Sequence, residues 1–204
     1  MSPPSVSRLA LFDFDETLIR ENSLSTLFKA RRCCGPLWLE TLAIFFHYRV
    51  YREGLRQAVK HRLYRRCLAF ATETELLRHG REQAHGFHPI QETIQRLWAL
   101  HEDGVEIWIV TATPRPFVQG IIEALAWPVA RILGTELPTM DGHNYNGELH
   151  RECSHSEKAC RLREELADWP GTIVAAYGNA PADQPMLAMA QHGFVVRKGR
   201  IVTQ

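Results

Sequence analysis

The sequence predicts an α/β fold, a Rossmann-like, mostly parallel sheet with helices on both faces. Three observations lead there. Short apolar runs rich in β-formers alternate with longer segments of helical periodicity, the order that βαβ units impose. Several of those runs close on Asp, Thr, Gly or Asn, the residue types found where open sheets bind ligands at their carboxyl ends. The chain has 204 residues and 45% apolar content, enough to bury one core and carry an insertion.

The first run, residues 9–12 of LALFDFDETL, reads as a buried strand ending in Asp13-Phe14-Asp15-Glu16-Thr17. Residues 23–87 then show helical spacing and few strand signals, and are expected to form an all-helical insertion. A helix over 90–101 stops at Gly104. The second strand, 106–110, lies in VEIWIVTAT just before Pro114, followed by a helix over 117–125 and a strand over 131–133. The segment HSEKACRLREEL opens an amphipathic helix with Leu162, Leu166 and Trp169 on or near its inner face. A strand over 173–176 runs into Tyr177-Gly178, and a last strand covers 194–196. No repeat, low-complexity tract or linker divides the chain. The expected organisation is an α/β core of residues 1–22 and 88–204, with 23–87 as an inserted cap.

Two carboxylates at i and i+2 beyond a buried strand are costly unless they hold a cation or do chemistry. Asp13 suits a nucleophile or a magnesium ligand, and Asp15 a general acid and base; a helix cap and a turn would use the same residues. Thr111, with Thr113 as second choice, offers a hydroxyl, and the following N–H groups, to a phosphate oxygen where strand gives way to helix. Lys158, at the start of its amphipathic helix, is a functional cation or a solvated charge. Asn179 and Asp183, on the loop after the 173–176 strand, supply oxygens that suit a hard cation such as magnesium (Mg2+). Together these features outline phosphoryl transfer.

Nucleophile strand, hydroxyl strand, lysine and acidic loop, in that order, resemble the four motifs of the haloacid dehalogenase-like hydrolases. The similarity runs from about Leu9 to Val196. It is nearest to the branch with a helical cap between the first and second motifs, which includes phosphoserine phosphatase-like enzymes and phosphatidylglycerophosphatase C. The stretch TELPTMDGHNYNGEL resembles the β-hairpin which that branch carries before its lysine. The resemblance implies that Asp13 forms an aspartyl-phosphate, and that Asp15 protonates the leaving alcohol and then activates water. It implies that Thr111 and the backbone at Ala112 bind the phosphoryl group while Lys158 neutralises its charge. Magnesium would lie on Asp13, the Asp15 carbonyl, Asp183 and the Asn179 position. The implied enzyme is a magnesium-dependent phosphomonoester phosphatase acting on a small organic or lipid-linked phosphate.

The chain departs from the pattern twice. The fourth motif usually reads Gly-Asp-x-x-x-Asp, whereas this chain has Gly178-Asn179-Ala180-Pro181-Ala182-Asp183. Asn179 can donate a carbonyl oxygen or hold a metal-bound water, but it removes one negative charge; weaker magnesium binding follows, and a catalytically impaired phosphate-binding or regulatory relative stays open. Phosphoserine phosphatases also carry a glutamate nine residues after the nucleophile, where this chain has Asn22, with Glu21 one residue early. Phosphoserine is therefore not the favoured substrate.

Charge is uneven. Between Lys29 and Arg66 stand ten Lys or Arg against Glu40 and Glu53, a net +8, leaving −7 for the rest of a chain whose total is +1. The basic cap reads as an attractor for anionic substrates, as a weak contact with an anionic membrane surface, or as a solvated face. No nucleic-acid-binding motif accompanies it. GPLWLETLAIFF, residues 35–46, is far shorter than the roughly 20 apolar residues a membrane span needs, and reads as cap packing, an acyl pocket or a surface anchor. Five cysteines lack metal-ligand spacing and are expected to be reduced thiols. The ten histidines form no zinc pattern. With no leader-like N-terminus, a cytoplasmic protein is expected. Composition does not address the oligomeric state.

Overall fold

The computed structural model of the chain describes residues 7–31, 55–149, 151–179 and 181–203. The apolar stretch 35–46, Cys33, Cys34, Arg32, Arg49 and Arg52 lie outside the described residues.

Five strands run parallel: β1 (Arg8–Phe12), β2 (Glu106–Pro114), β3 (Arg131–Thr135), β4 (Thr172–Gly178) and β5 (His192–Arg197). A sixth, β6 (Arg200–Thr203), returns antiparallel to β5. The sheet order is β3-β2-β1-β4-β5-β6, so the first strand of the chain is central. Its residues divide between two cores. Ala10 and Phe12 join Ile107, Ile109 and Tyr177 on one face, whereas Leu9 and Leu11 join Trp108, Val110 and Ala176 on the other. These four β1 side chains are fully buried, each contributing about 1.5–3 kcal/mol if large and apolar. Phe12 stacks on Tyr177 at 4.5 Å, and Tyr177 stacks on Phe194 at 4.8 Å, tying β1, β4 and β5 together.

The helices among the described residues are α1 (Ser23–Ala30), α2 (Leu55–Leu68), α3 (Glu73–Gln83), α4 (Gln91–Glu102), α5 (Arg115–Leu125), α6 (Ser156–Glu165) and α7 (Gln184–Leu187). Asn22 caps α1, its side chain accepting from Ser25 N at 2.8 Å. Thr72 and Glu75 form a capping box at the start of α3. Phe117, Val118 and Ile121 of α5 and Leu97 of α4 fill the first core. Leu162 of α6 and Met186 and Leu187 of α7 fill the second, with Leu166 and Trp169 packed beside them. The mostly parallel sheet with helices on both faces is thus the observed architecture.

Boundaries moved where tertiary pairing overrides local signals. β2 runs past Val110 through both threonines to Pro114, because Pro114 pairs with Thr135 across a register shift. In the 135–149 segment the pairing is a minimal hairpin, the Thr139–Tyr145 antiparallel bridge flanked by Met140 N donating to Asn144 O at 2.8 Å and Asn146 N to Pro138 O at 3.0 Å; Gly142 and Gly147 stand at either side of its second arm. It is anchored to the turn between α2 and α3, where Phe70 N donates to Tyr145 O and Tyr145 N to Ala71 O, both at 2.8 Å.

Residues 18–21 and 88–90 lie side by side. Arg20 N donates to His88 O at 2.9 Å and Ile90 N to Leu18 O at 2.8 Å, with an antiparallel bridge between Ile19 and Pro89. Glu21 accepts from His88 N at 3.0 Å and meets His88 Nδ1 at 2.5 Å. Between these two points of the chain, α3 lies against α5 at a crossing built on Gly80 and Gly120. A Cβ on Gly80 would stand 2.1 Å from Phe117 O, and one on Gly120 2.1 Å from Leu77 O.

Candidate active site

Asp13 follows β1 directly, and its N–H still donates to Tyr177 O at 2.8 Å, holding the residue at the sheet's carboxyl edge. The next turn closes at once: Leu18 N donates to Phe14 O at 2.9 Å, with Glu16 in the left-handed region at φ 57. Asp13 is only 5% exposed. Its Oδ1 accepts from Lys158 Nζ at 2.5 Å and its Oδ2 from Thr17 Oγ1 at 3.1 Å.

Lys158 lies in the first turn of α6 and also donates to Asp183 Oδ1 at 2.5 Å. Burial pulls its ammonium pKa down, but the adjacent Asp13 and Asp183 charges outweigh that and leave it above an ordinary lysine. A buried cation between two carboxylates is sustained only because the three are mutually satisfied. Asp183 is itself raised, first by burial and then by Asp13, with Lys158 and Asn179 opposing. Its Oδ2 accepts from Asn179 N at 2.8 Å. Gly178 makes this close fold-back possible, since a Cβ there would stand 2.6 Å from Asp183 Cβ.

The Asp15 carboxylate has different partners. Oδ1 accepts from Ser23 N at 2.8 Å and Oδ2 from Thr113 Oγ1 at 3.3 Å, while Ser23 Oγ and Thr113 Oγ1 share a 2.8 Å bond. Burial pushes its pKa up to about 6; the Ser23 and Thr113 donors oppose this and the Asp13 charge adds to it. A carboxyl group that titrates near neutral pH is suited to give and take a proton. Thr111 is buried at the end of β2, its hydroxyl accepting from Thr113 N at 3.2 Å. Ala112 O accepts from Thr135 Oγ1 at 2.6 Å, which braces the backbone there.

The structure therefore gathers Asp13, Lys158, Asp183 and Asn179, and sets the Asp15 carbonyl beside them, since Asn179 Nδ2 donates to it at 3.2 Å. Two carboxylates, a carbonyl and a carboxamide form an oxygen-rich donor set that fits magnesium. Among the described residues no cluster of three or more His, Cys, Asp or Glu side chains forms a metal site; the Asp15 carboxylate is engaged by Ser23 and Thr113. The amide nitrogen of Asn179 faces the Asp15 carbonyl, so presenting its oxygen as a ligand requires turning the carboxamide over.

Sequence reasoning gave no role to Thr17 or Ser23 and ranked Thr113 second. Thr17 stands four residues after Asp13, close enough for a one-turn contact to be foreseen. The Ser23 contact depends on how α1 starts, which no spacing encodes.

The haloacid dehalogenase-like hydrolase family model matches residues 10–188. The chain belongs to this family. Protein CicA of Caulobacter vibrioides is 30% identical over 205 residues, spanning 94% of this chain and 87% of CicA. Among solved structures, a protein of unknown function from Bordetella pertussis Tohama I superposes with a TM-score of 0.69 at 22% identity, covering 92% of this chain and 89% of that one. A phosphoserine phosphatase carrying a phospho-aspartyl intermediate analogue gives a TM-score of 0.59 at 16% identity, covering 92% and 85%. These structural likenesses establish a shared fold. In this member of the hydrolase family, no helix among the described residues is long and apolar enough to cross a membrane.

Proposed function

We propose that the chain is a magnesium-dependent phosphomonoester hydrolase that works through an aspartyl-phosphate on Asp13. The observation that carries this reading is the buried Asp13–Lys158–Asp183 cluster, with both ion pairs at 2.5 Å, at the carboxyl edge of the central strands. A carboxylate oxygen of Asp13 attacks phosphorus while the Asp15 carboxyl gives its proton to the departing alkoxide. Asp15, now ionised, takes a proton from the water that attacks the same phosphorus, and Asp13 is released as a carboxylate. Lys158 neutralises phosphoryl charge and orients the nucleophile, and Thr111 with the backbone at Ala112 hydrogen-bonds the phosphoryl oxygens. Positioning and charge stabilisation of this kind supply most of the catalysis in phosphoryl transfer. Asp13, the Asp15 carbonyl, Asn179 and Asp183 would hold magnesium, which supplies positive charge against the phosphoryl oxygens.

The substrate is a small organic or lipid-linked phosphomonoester, admitted beneath residues 23–87 acting as a cap. The phosphoserine phosphatases among the structural neighbours support phosphomonoester chemistry. Recognition of phosphoserine itself is disfavoured by local geometry: Asn22 is spent capping α1 and Glu21 is engaged by His88. The reading places the protein in the cytoplasm, without nucleic acid, and with a weak membrane-surface contact through the basic cap if the substrate is lipid-linked. A second reading, a catalytically impaired phosphate-binding protein, is favoured by Asn179 alone.

The deciding experiment is phosphate release from a panel of phosphomonoesters, including a lysophospholipid phosphate, with and without magnesium. Metal-dependent release that Asp13→Asn abolishes, by a factor of about 10³ or more, supports the enzyme. Failure of every substrate, with retained binding of a phosphate analogue, supports the second reading.

A further inference from the structure

A groove of about 700 Å³ opens beside the catalytic cluster, lined by Arg20, Arg197, Lys198, Glu16, Asn179 and Ile90 among others. Its cations come from two distant segments, Arg20 from the turn after β1, and Arg197 at the end of β5 with Lys198 from the turn into β6. All three are exposed. Among the described residues none of them forms a side-chain hydrogen bond or ion pair, unlike Arg81, Arg131, Arg151 and Arg161, which are each held by a glutamate. Glu16 is the lone acid on the groove wall. Lys198 also occupies a left-handed turn position at φ 50, followed by Gly199 at φ 74, where Asn, Asp or Gly would be the less strained choice. Asn179 belongs both to this wall and to the catalytic cluster, through its bonds to Asp183 and the Asp15 carbonyl. An aspartate there would repel an anion in the groove, and asparagine does not.

We infer that the groove receives a second anionic group, a carboxylate or a further phosphate, carried by the substrate beyond its scissile phosphomonoester, and that Arg20, Arg197 and Lys198 determine this specificity. The inference rests on the phosphatase reading and narrows its substrate class. Guanidinium groups bind carboxylate and phosphate through paired N–H donors, and a free lysine adds a mobile point charge. The exposed setting makes the preference sensitive to salt.

The test compares alkyl phosphates of equal length with and without a terminal carboxylate or phosphate, in the wild type and in the Arg20→Gln/Arg197→Gln/Lys198→Gln variant. The wild type is expected to favour the doubly anionic substrate by about tenfold or more in kcat/KM, and the triple variant to lose about tenfold of that ratio. Raising the ionic strength from about 0.05 to about 0.5 M should erode the wild-type preference in the same direction. The charge-preserving Arg20→Lys/Arg197→Lys variant should keep most of the ratio, which separates lost charge from a damaged fold. An equal ratio in wild type and triple variant overturns the inference. If the wild type hydrolyses neither substrate, the phosphatase reading fails separately, and calorimetric titration with inorganic pyrophosphate in metal-free buffer decides the groove. Binding about tenfold weaker in the triple variant supports an anion site there; equal binding overturns it.

Discussion

Asp13 and Asp15 stand two residues apart yet occupy opposite electrostatic settings, one tied to a buried ammonium and the other to two hydroxyl-bearing residues. The Asp15 pKa, about 6 in the folded chain against 3.8 for the free side chain, has a definite sign for stability. The folded state binds this proton more tightly than the unfolded state, so the contribution favours folding at low pH, is lost between about pH 4 and 6, and is a cost above that. At 1.36 kcal/mol per unit the cost reaches about 3 kcal/mol. Asp15→Asn removes it, so the variant should gain about 1–3 kcal/mol relative to wild type between about pH 4 and pH 7.5 in metal-free buffer. Denaturant unfolding at the two pH values checks this, and a pH-independent difference refutes it. Asn179→Asp should tighten magnesium binding, measured by calorimetry; an unchanged affinity places that side chain outside the metal's reach. Most of this site was legible because its acids, Thr111 and Lys158 sit at strand ends or a helix start in a recognisable order. Thr113 was harder to rank, since its bond to Asp15 spans 98 residues and depends on β2 continuing past Val110.

At the scale of elements, the apolar runs at residues 9–12 and 106–110 were readable because burial on both faces leaves little room for polar residues. β6 went unread because Lys-Gly is not one of the usual turn signals: only the backbone shows Lys198-Gly199 as a two-residue connection with both φ values positive, the hallmark of a tight hairpin. The α3–α5 crossing was also hidden, because a glycine inside a helical pattern reads as a weakness until its partner is known. Gly80 and Gly120 let the two backbones touch. Gly120→Ala should gain about 1 kcal/mol of helix propensity and lose more to the clash. The expected net loss is about 2 kcal/mol, read as a lower urea midpoint with unchanged slope. A stabilised variant would mean that the helices separate at little cost.

For the molecule as a whole, the dominant electrostatic feature is the +8 segment from Lys29 to Arg66, set against −7 elsewhere. Neutralising Arg49, Arg52 and Arg56 together should raise KM for anionic substrates several-fold at low salt, with a smaller effect at high salt. A KM that does not move at any salt concentration returns these charges to a solvated face. The helical spacing of residues 23–87 was read from the sequence; the attachment of α3 to α5 was not, since it depends on backbone proximity. This attachment has a mechanical corollary. Because α3 is pressed against α5, and α5 begins directly after Pro114 at the end of β2, a shift of α3 is passed on to the stretch of β2 that carries Thr111 and Thr113. Just before Thr72, Phe70, a bulky residue at φ 64 whose N–H donates to Tyr145 O, ties the turn between α2 and α3 to the 135–149 segment. The 135–149 segment thus works as a clasp that holds the start of α3 in place.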